Sequence, residues 1–180
     1  MKKNKKSSNT RTVKDSMGEI KVPFDSMYAA QTQRAIDNFP ISNIKFNEEF
    51  IYSVVIIKRS AAITNFNLGL LNKIKSNAII KACDDILSGK YNDQFPVDVF
   101  QTGSGTSTNM NVNEVIANIA NSDIKSKKDE IHPNDYVNMG QSSNDVIPTA
   151  IHISSLLLVE NELLPSLKEM EKLLLRKQND

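Results

Sequence analysis

The chain has 180 residues, 39% of them apolar and 24% charged, with a net charge of +1. That profile fits one ordinary soluble domain and excludes fibrous and disordered classes. Export is not expected: no apolar run approaches the roughly 20 residues that span a bilayer, and the start lacks a signal's apolar stretch. Lys2, Lys3, Lys5 and Lys6 carry four of the positive charges, which leaves about −3 on the remainder. Met1 to Thr10 therefore reads as a solvated, disordered tail rather than a nucleic-acid or membrane arm.

Thr12 to Val22, with apolar residues around Gly18, predicts a short hairpin ahead of Pro23. Ser26 is placed to cap a helix through Ala29, Ala30, Ala35 and Ile36 that stops before Pro40. The next helix should open at Asn47, followed by Glu48 and Glu49, and close near Gly69. Another should run from Asn72 to Gly89. Both show a polar cap in front and glycine behind. Cys83 lies in the second of these, where a core role is the default, and being single it forms no internal disulfide. A reducing cytoplasm is the expected compartment.

Pro96 favours an extended approach through Val97, Val99 and Phe100. It leads into the hydroxyl-rich tract Gln101–Asn111, after which Met110, Val112, Val115, Ile116 and Ile119 recur at helical spacing. Glu114 in that helix is expected to be exposed or ion-paired. Asn121 to Asp129 reads as a polar surface loop leading to His132-Pro133. A second polar tract, Met139-Gly140-Gln141-Ser142-Ser143-Asn144-Asp145, again runs into a helix. Beyond Pro148 one long helix is predicted, with Ile153, Leu156, Leu163, Leu167, Met170 and Leu174 on a bundle-type stripe and Pro165 kinking it. The preceding helices hardly suffice to cover that stripe, so partner subunits or further chain should pack along it.

Ser, Thr, Asn and Gly at a helix start gather neutral donors where backbone N–H groups and the helix dipole already favour an anion. The first tract lacks the Lys-Ser/Thr ending of a nucleotide-triphosphate loop, so small carboxylates fit better than phosphates. Alone, Gly103-Ser104-Gly105-Thr106 also reads as a flexible turn. Two histidines and one cysteine, widely separated, give no metal-ligand spacing, and no cofactor is implied.

The two tracts, with Ile131-His132-Pro133-Asn134-Asp135 between them, resemble the class II fumarase and aspartase superfamily. The resemblance starts near Asp15-Ser16-Met17-Gly18-Glu19, continues through Ala30–Ala35 and Asn38–Ser42, and extends to the last residues. It implies a mainly α fold: a disordered basic tail (1–12), an N-terminal helical lyase domain with a short β-hairpin (13–140), and the first long helix of a central helix bundle (141–180).

By the same resemblance Ser104, Gly105 and Thr106 grip one substrate carboxylate. Ser142, Ser143 and Asn144 engage the substrate from the second tract, and Asn144 helps position water. His132, Pro133, Asn134 and Asp135 match a secondary anion site; the alternative is that His132 fixes a Pro-containing turn. Asp129-Glu130 departs from relatives with basic residues there. The family's acid and base segments, a Gly-Arg-Thr-His stretch and a mobile serine-rich loop, are expected beyond this chain, so no catalytic residue is assigned here. His152 is expected to pack or face solvent.

The implied activity is reversible hydration of fumarate to malate by a tetramer. Aspartate ammonia-lyase is the nearest rival, but Thr102, Ser104, Ser143 and His132 stand where aspartases carry Gly, Ala, Thr and Asn. A non-catalytic dicarboxylate-binding or assembly module is the reading from another class.

Overall fold

A computed structural model describes residues 9–178. Strands β1 (Thr10–Asp15) and β2 (Gly18–Pro23) form an antiparallel hairpin with Asp15 opposite Gly18. The turn thus falls on Ser16-Met17, and Gly18 opens the return strand. Thr10, Arg11 and Thr12 belong to β1, so the expected tail is too long at its C-terminal end. The part of that expectation covering residues 1–8 lies outside the described residues.

Helix α1 spans Ala30–Asn38. Its cap position is Ala29, which offers no side-chain acceptor, and Ser26 instead turns its hydroxyl to the carbonyl of Pro23 at 2.9 Å. The cap comes from elsewhere. Glu114 accepts the backbone N–H groups of Ala29 (2.9 Å), Gln31 (2.9 Å) and Thr32 (3.1 Å), and the Thr32 hydroxyl at 2.6 Å. A carboxylate at a helix N-terminus satisfies orphan donors and meets the dipole. Glu114 is therefore buried, not exposed. Arg34 on α1 forks onto Asp15 at 2.9 and 3.0 Å, tying the hairpin to the helix and holding the Asp15 carboxyl below its usual range.

Helices α2 (Glu48–Asn67) and α3 (Lys73–Leu87) are capped by Asn47 and Asn72, which accept from Phe50 and Lys75 N–H. Gly69 and Gly89 follow them with φ of 72° and 85°. Helix α4 (Thr106–Ser122) enters the centre of the molecule. Val112, Val115, Ile116 and Ala120 are buried with Phe50, Val54 and Val55 of α2 and Ile79, Ala82, Cys83 and Ile86 of α3. Each buried Val, Ile or Phe side chain among them contributes about 1.5–3 kcal/mol. Burial pushes the Cys83 thiol up to about 12, consistent with a packing role.

The polar side of α4 is buried as well, and its asparagines bind the loops around it. Asn111 donates to Gln94 O (3.1 Å), Asn118 to Met27 O (2.6 Å), and Asn121 pairs with both backbone groups of Ile131 (2.9 and 2.8 Å). Pairing these buried and half-buried amides fixes three connections against one helix. Between Ser122 and Pro133 the chain is irregular except for a single 3₁₀ turn at Lys127–Asp129.

Helix α5 (Ser143–Leu158) packs along α2, with Val146 and Ala150 in the core. It begins before Pro148, which sits inside it. A widened π turn, Val159–Leu163, separates it from α6 (Leu164–Gln178). Pro165 lacks an N–H and would press on the carbonyl four residues back; the extra residue in the preceding turn accommodates it. No residue of α6 is buried. Leu163, Leu167, Met170 and Leu174 are 51%, 44%, 52% and 63% exposed, so the bundle stripe stands uncovered. No helix among the described residues is long and apolar enough to cross a membrane.

Candidate functional site

Two helix entrances meet at the polar tracts. The approach to the first is anchored by Asp98, whose carboxylate accepts the N–H groups of Ser42 (2.7 Å), Asn43 (2.7 Å) and Phe100 (2.9 Å) and the Ser42 hydroxyl. Burial would raise its pKa, but these donors outweigh it and bring Asp98 down to about 2. Gln101 then clamps the start of α4: its amide oxygen accepts Thr108 N–H at 2.8 Å and its NH₂ donates to the Thr108 hydroxyl at 2.7 Å.

Gly105 is the N-cap of α4, at φ 66°. A Cβ there would lie 2.8 Å from Cγ1 of Ile147 on α5. Glycine is thus required twice, for the left-handed backbone and for the close approach of the two helices. That approach brings the tracts together. The Thr106 hydroxyl lies 2.7 Å from the Ser104 hydroxyl and 3.1 Å from that of Ser143.

On the other side Ser142 caps α5, accepting Asn144 N–H at 3.3 Å. Pro148 removes the N–H that the Asn144 carbonyl would receive in a regular helix. Thr106, Ser142 and Asn144 are exposed, while Ser104, Gly105 and Ser143 are half-buried. The cluster is open to solvent and built from neutral hydroxyls at the N-termini of two helices. Such a surface can take an anion, and the Thr106–Ser143 pair can turn its hydroxyl protons toward one.

The remaining sequence-expected residues lie apart from this contact. His132 caps the π turn Pro133–Val137, its Nδ1 accepting Asp135 N–H at 3.3 Å and standing 3.2 Å from the Asp135 carboxylate. His132, Asn134 and Asp135 are exposed, and Pro133 is half-buried. They edge a cavity of about 910 Å³ that Lys14, Lys75, Lys127 and Lys128 also line. Lys75 donates to Glu130 O at 3.0 Å and sits 3.6 Å over the Tyr136 ring. The basic charge at this cavity comes from residues outside the His-Pro-Asn-Asp stretch. His152 is exposed on α5.

Sequence reasoning overlooked the support under the second tract. Lys58 of α2 is fully buried and donates to Asn138 Oδ1 at 2.8 Å. Burial lowers its pKa to about 7. Its inward direction was legible in principle, because Lys58 falls one turn from Val54, Val55 and Ala62, all buried. Asn138 receives two further donors, Asn109 (3.1 Å) and Asn113 (3.2 Å) of α4.

The family model described as "Lyase" matches residues 18–180. The chain belongs to the lyase family. Among its relatives, the class II fumarate hydratase of Prochlorococcus marinus is 53% identical over 175 residues, covering 95% of this chain and 38% of that protein. That of Halobacterium salinarum is 51% identical over 166 residues, covering 91% and 35%. The crystal structure of a recombinant class II fumarase from Schistosoma mansoni superimposes with a TM-score of 0.84 at 43% identity, over 88% of this chain and 34% of that one. The chain spans about a third of the length of the curated relatives it matches. Lyase membership and the mainly α fold with one hairpin agree with the resemblance seen in the two tracts.

Proposed function

We propose that the chain is the N-terminal portion of a fumarate hydratase that interconverts fumarate and malate, in the tricarboxylic acid cycle of the cytoplasm. Ser104, Gly105 and Thr106 hold one substrate carboxylate, and Ser142, Ser143 and Asn144 hold the substrate from the second tract. One observation carries this reading: Thr106 and Ser143, from tracts at the starts of two different helices, share a 3.1 Å hydroxyl contact. Hydration passes through a carbanion beside a carboxylate, and fixed donors that bind that carboxylate as it gains charge lower the barrier. About 50% identity to class II fumarate hydratases supports fumarate as the diacid.

His132, Pro133, Asn134 and Asp135 serve as a secondary anion site. Lys14, Lys75, Lys127 and Lys128 line the adjoining cavity together with Asp15, Glu114 and Glu130, and they supply the positive charge that an anionic visitor there would meet. Residues 13–140 act as a lyase domain and 141–180 as the beginning of a helical bundle. The bare stripe of α6 supports a homotetramer joined along it.

Binding groups without a general acid and base leave the proton transfers unassisted, so turnover by the 180 residues alone should be negligible. The test is fumarate consumption by the purified chain, alone and mixed with the C-terminal remainder of a class II fumarase, alongside a fumarate titration. Binding without turnover, and activity on mixing, are expected. Robust hydration by the chain alone, or no fumarate binding, would overturn the reading.

A further inference from the structure

Asn138 gathers most of the side-chain bonds that hold the second tract. Asn138 Oδ1 gathers three donors, the Lys58 ammonium at 2.8 Å and the Asn109 and Asn113 amides at 3.1 and 3.2 Å. The other end of the same amide donates to Gln141 O at 3.1 Å, the carbonyl immediately before Ser142. Gln141 returns bonds from its own NH₂ to Val137 O (2.9 Å) and Met139 O (3.3 Å), and Asn65 of α2 also donates to Met139 O at 3.2 Å. Helix α4 therefore presents Thr106 at its first residue and, one turn on, uses Asn109 to hold the segment that delivers Ser143.

Lys58 is the costly member of this network. A fully buried ammonium is normally paired with a carboxylate, yet the acceptor here is a neutral amide. Three neighbouring amide oxygens, on Asn109, Asn113 and Gln141, are buried without a donor. An apolar residue at this position would avoid the cost of burying an ammonium, so stability alone does not account for the lysine. Its one directed contact ends at the base of the second tract.

We propose that Lys58 is a positioning residue, holding Asn138, and through it the Gln141 carbonyl, so that Ser142–Asn144 stand against Thr106 in the arrangement that receives a substrate carboxylate. The functional half of this assignment rests on the carboxylate-site reading above. The linkage itself does not.

Two readouts on the 180-residue chain separate them. Amide hydrogen exchange without ligand reports the linkage. In K58M, and independently in N138A, the amides of Gln141 and Asn144–Val146 should exchange at least about tenfold faster while those of α3 keep their protection. The K58M/N138A double variant should exchange no faster than N138A, because the two residues act in series. A fumarate titration reports the consequence: K58M should bind roughly tenfold more weakly with an undiminished melting temperature, since it also removes a buried charge. Unchanged exchange at 141–146 in K58M, or effects that add in the double variant, overturns the positioning role whatever the titration gives. Fumarate binding that is absent, or identical in the unaltered chain and T106V, overturns the carboxylate site instead.

Discussion

Thr106 Oγ1 and Ser143 Oγ lie 3.1 Å apart although 37 residues separate them in the chain. Each belongs to the first residue of a helix, so the contact also brings two helix N-termini together. Replacing either hydroxyl should weaken fumarate binding without unfolding the chain. T106V and S143A are each expected to cost about 1–1.5 kcal/mol, roughly tenfold in affinity, by isothermal titration, with unchanged helical circular dichroism. Wild-type affinity in both variants would mean that the pair is a surface contact and no more.

Gly105 sets the spacing of those two helices. An alanine there must adopt φ 66° and place its Cβ 2.8 Å from Ile147 Cγ1. The strained backbone and the overpacking together should cost about 2–3 kcal/mol in urea unfolding. I147A should recover part of that loss in the double variant, because it removes the atoms the new methyl meets. Failure of I147A to recover any would locate the cost in the backbone alone.

Glu114 joins the hairpin end of the molecule to α4. Its carboxylate takes three backbone N–H groups and one hydroxyl at the start of α1. E114A should therefore destabilise by about 2–4 kcal/mol and expose the α1 amides to hydrogen exchange ahead of those in α3. E114Q keeps the shape and two acceptor lone pairs and should lose less. Equal losses in the two variants would show that packing, and not capping, is what Glu114 supplies.

Lys58 gives folding a distinctive pH dependence. Burial lowers its pKa from 10.5 to about 7, against a smaller opposing effect from Cys83 beside it. Below pH 7 the ammonium is charged in both states, and the folded chain bears the full cost of burying it. Between 7 and 10.5 the unfolded chain binds the extra proton, so raising the pH favours folding. Relative to K58M, the unaltered chain should gain stability across that window and run parallel to it below about pH 6. Parallel curves throughout would mean that Lys58 stays charged in the fold.

The caps at Asn47 and Asn72, the stops at Gly69 and Gly89, and the entrances at Ser142 and before Thr106 were legible because each is decided within one turn of chain. So was the apolar stripe beyond Ile153, which depends on spacing alone. The start of α1 was misread for the complementary reason. Ser26 has the right chemistry for a cap, but the acceptor is Glu114, 82 residues from Thr32, and no local pattern announces a cap delivered from another helix. Glu114 was expected to be exposed or ion-paired and Lys58 drew no reading at all, since charged residues are seldom buried. The partners that make their burial tolerable are distant in sequence.

The sequence by itself determined the helices, most of their limits and the two neutral donor tracts, since propensity, capping and periodicity act over a few neighbouring residues. The fold decided which donors meet. Thr106 reaches Ser143 because Gly105 lets α4 lie against Ile147, and the second tract is held by Lys58, Asn109 and Asn113 converging on Asn138. Contacts of this kind depend on how whole helices pack, which the order of residues within any one of them does not encode.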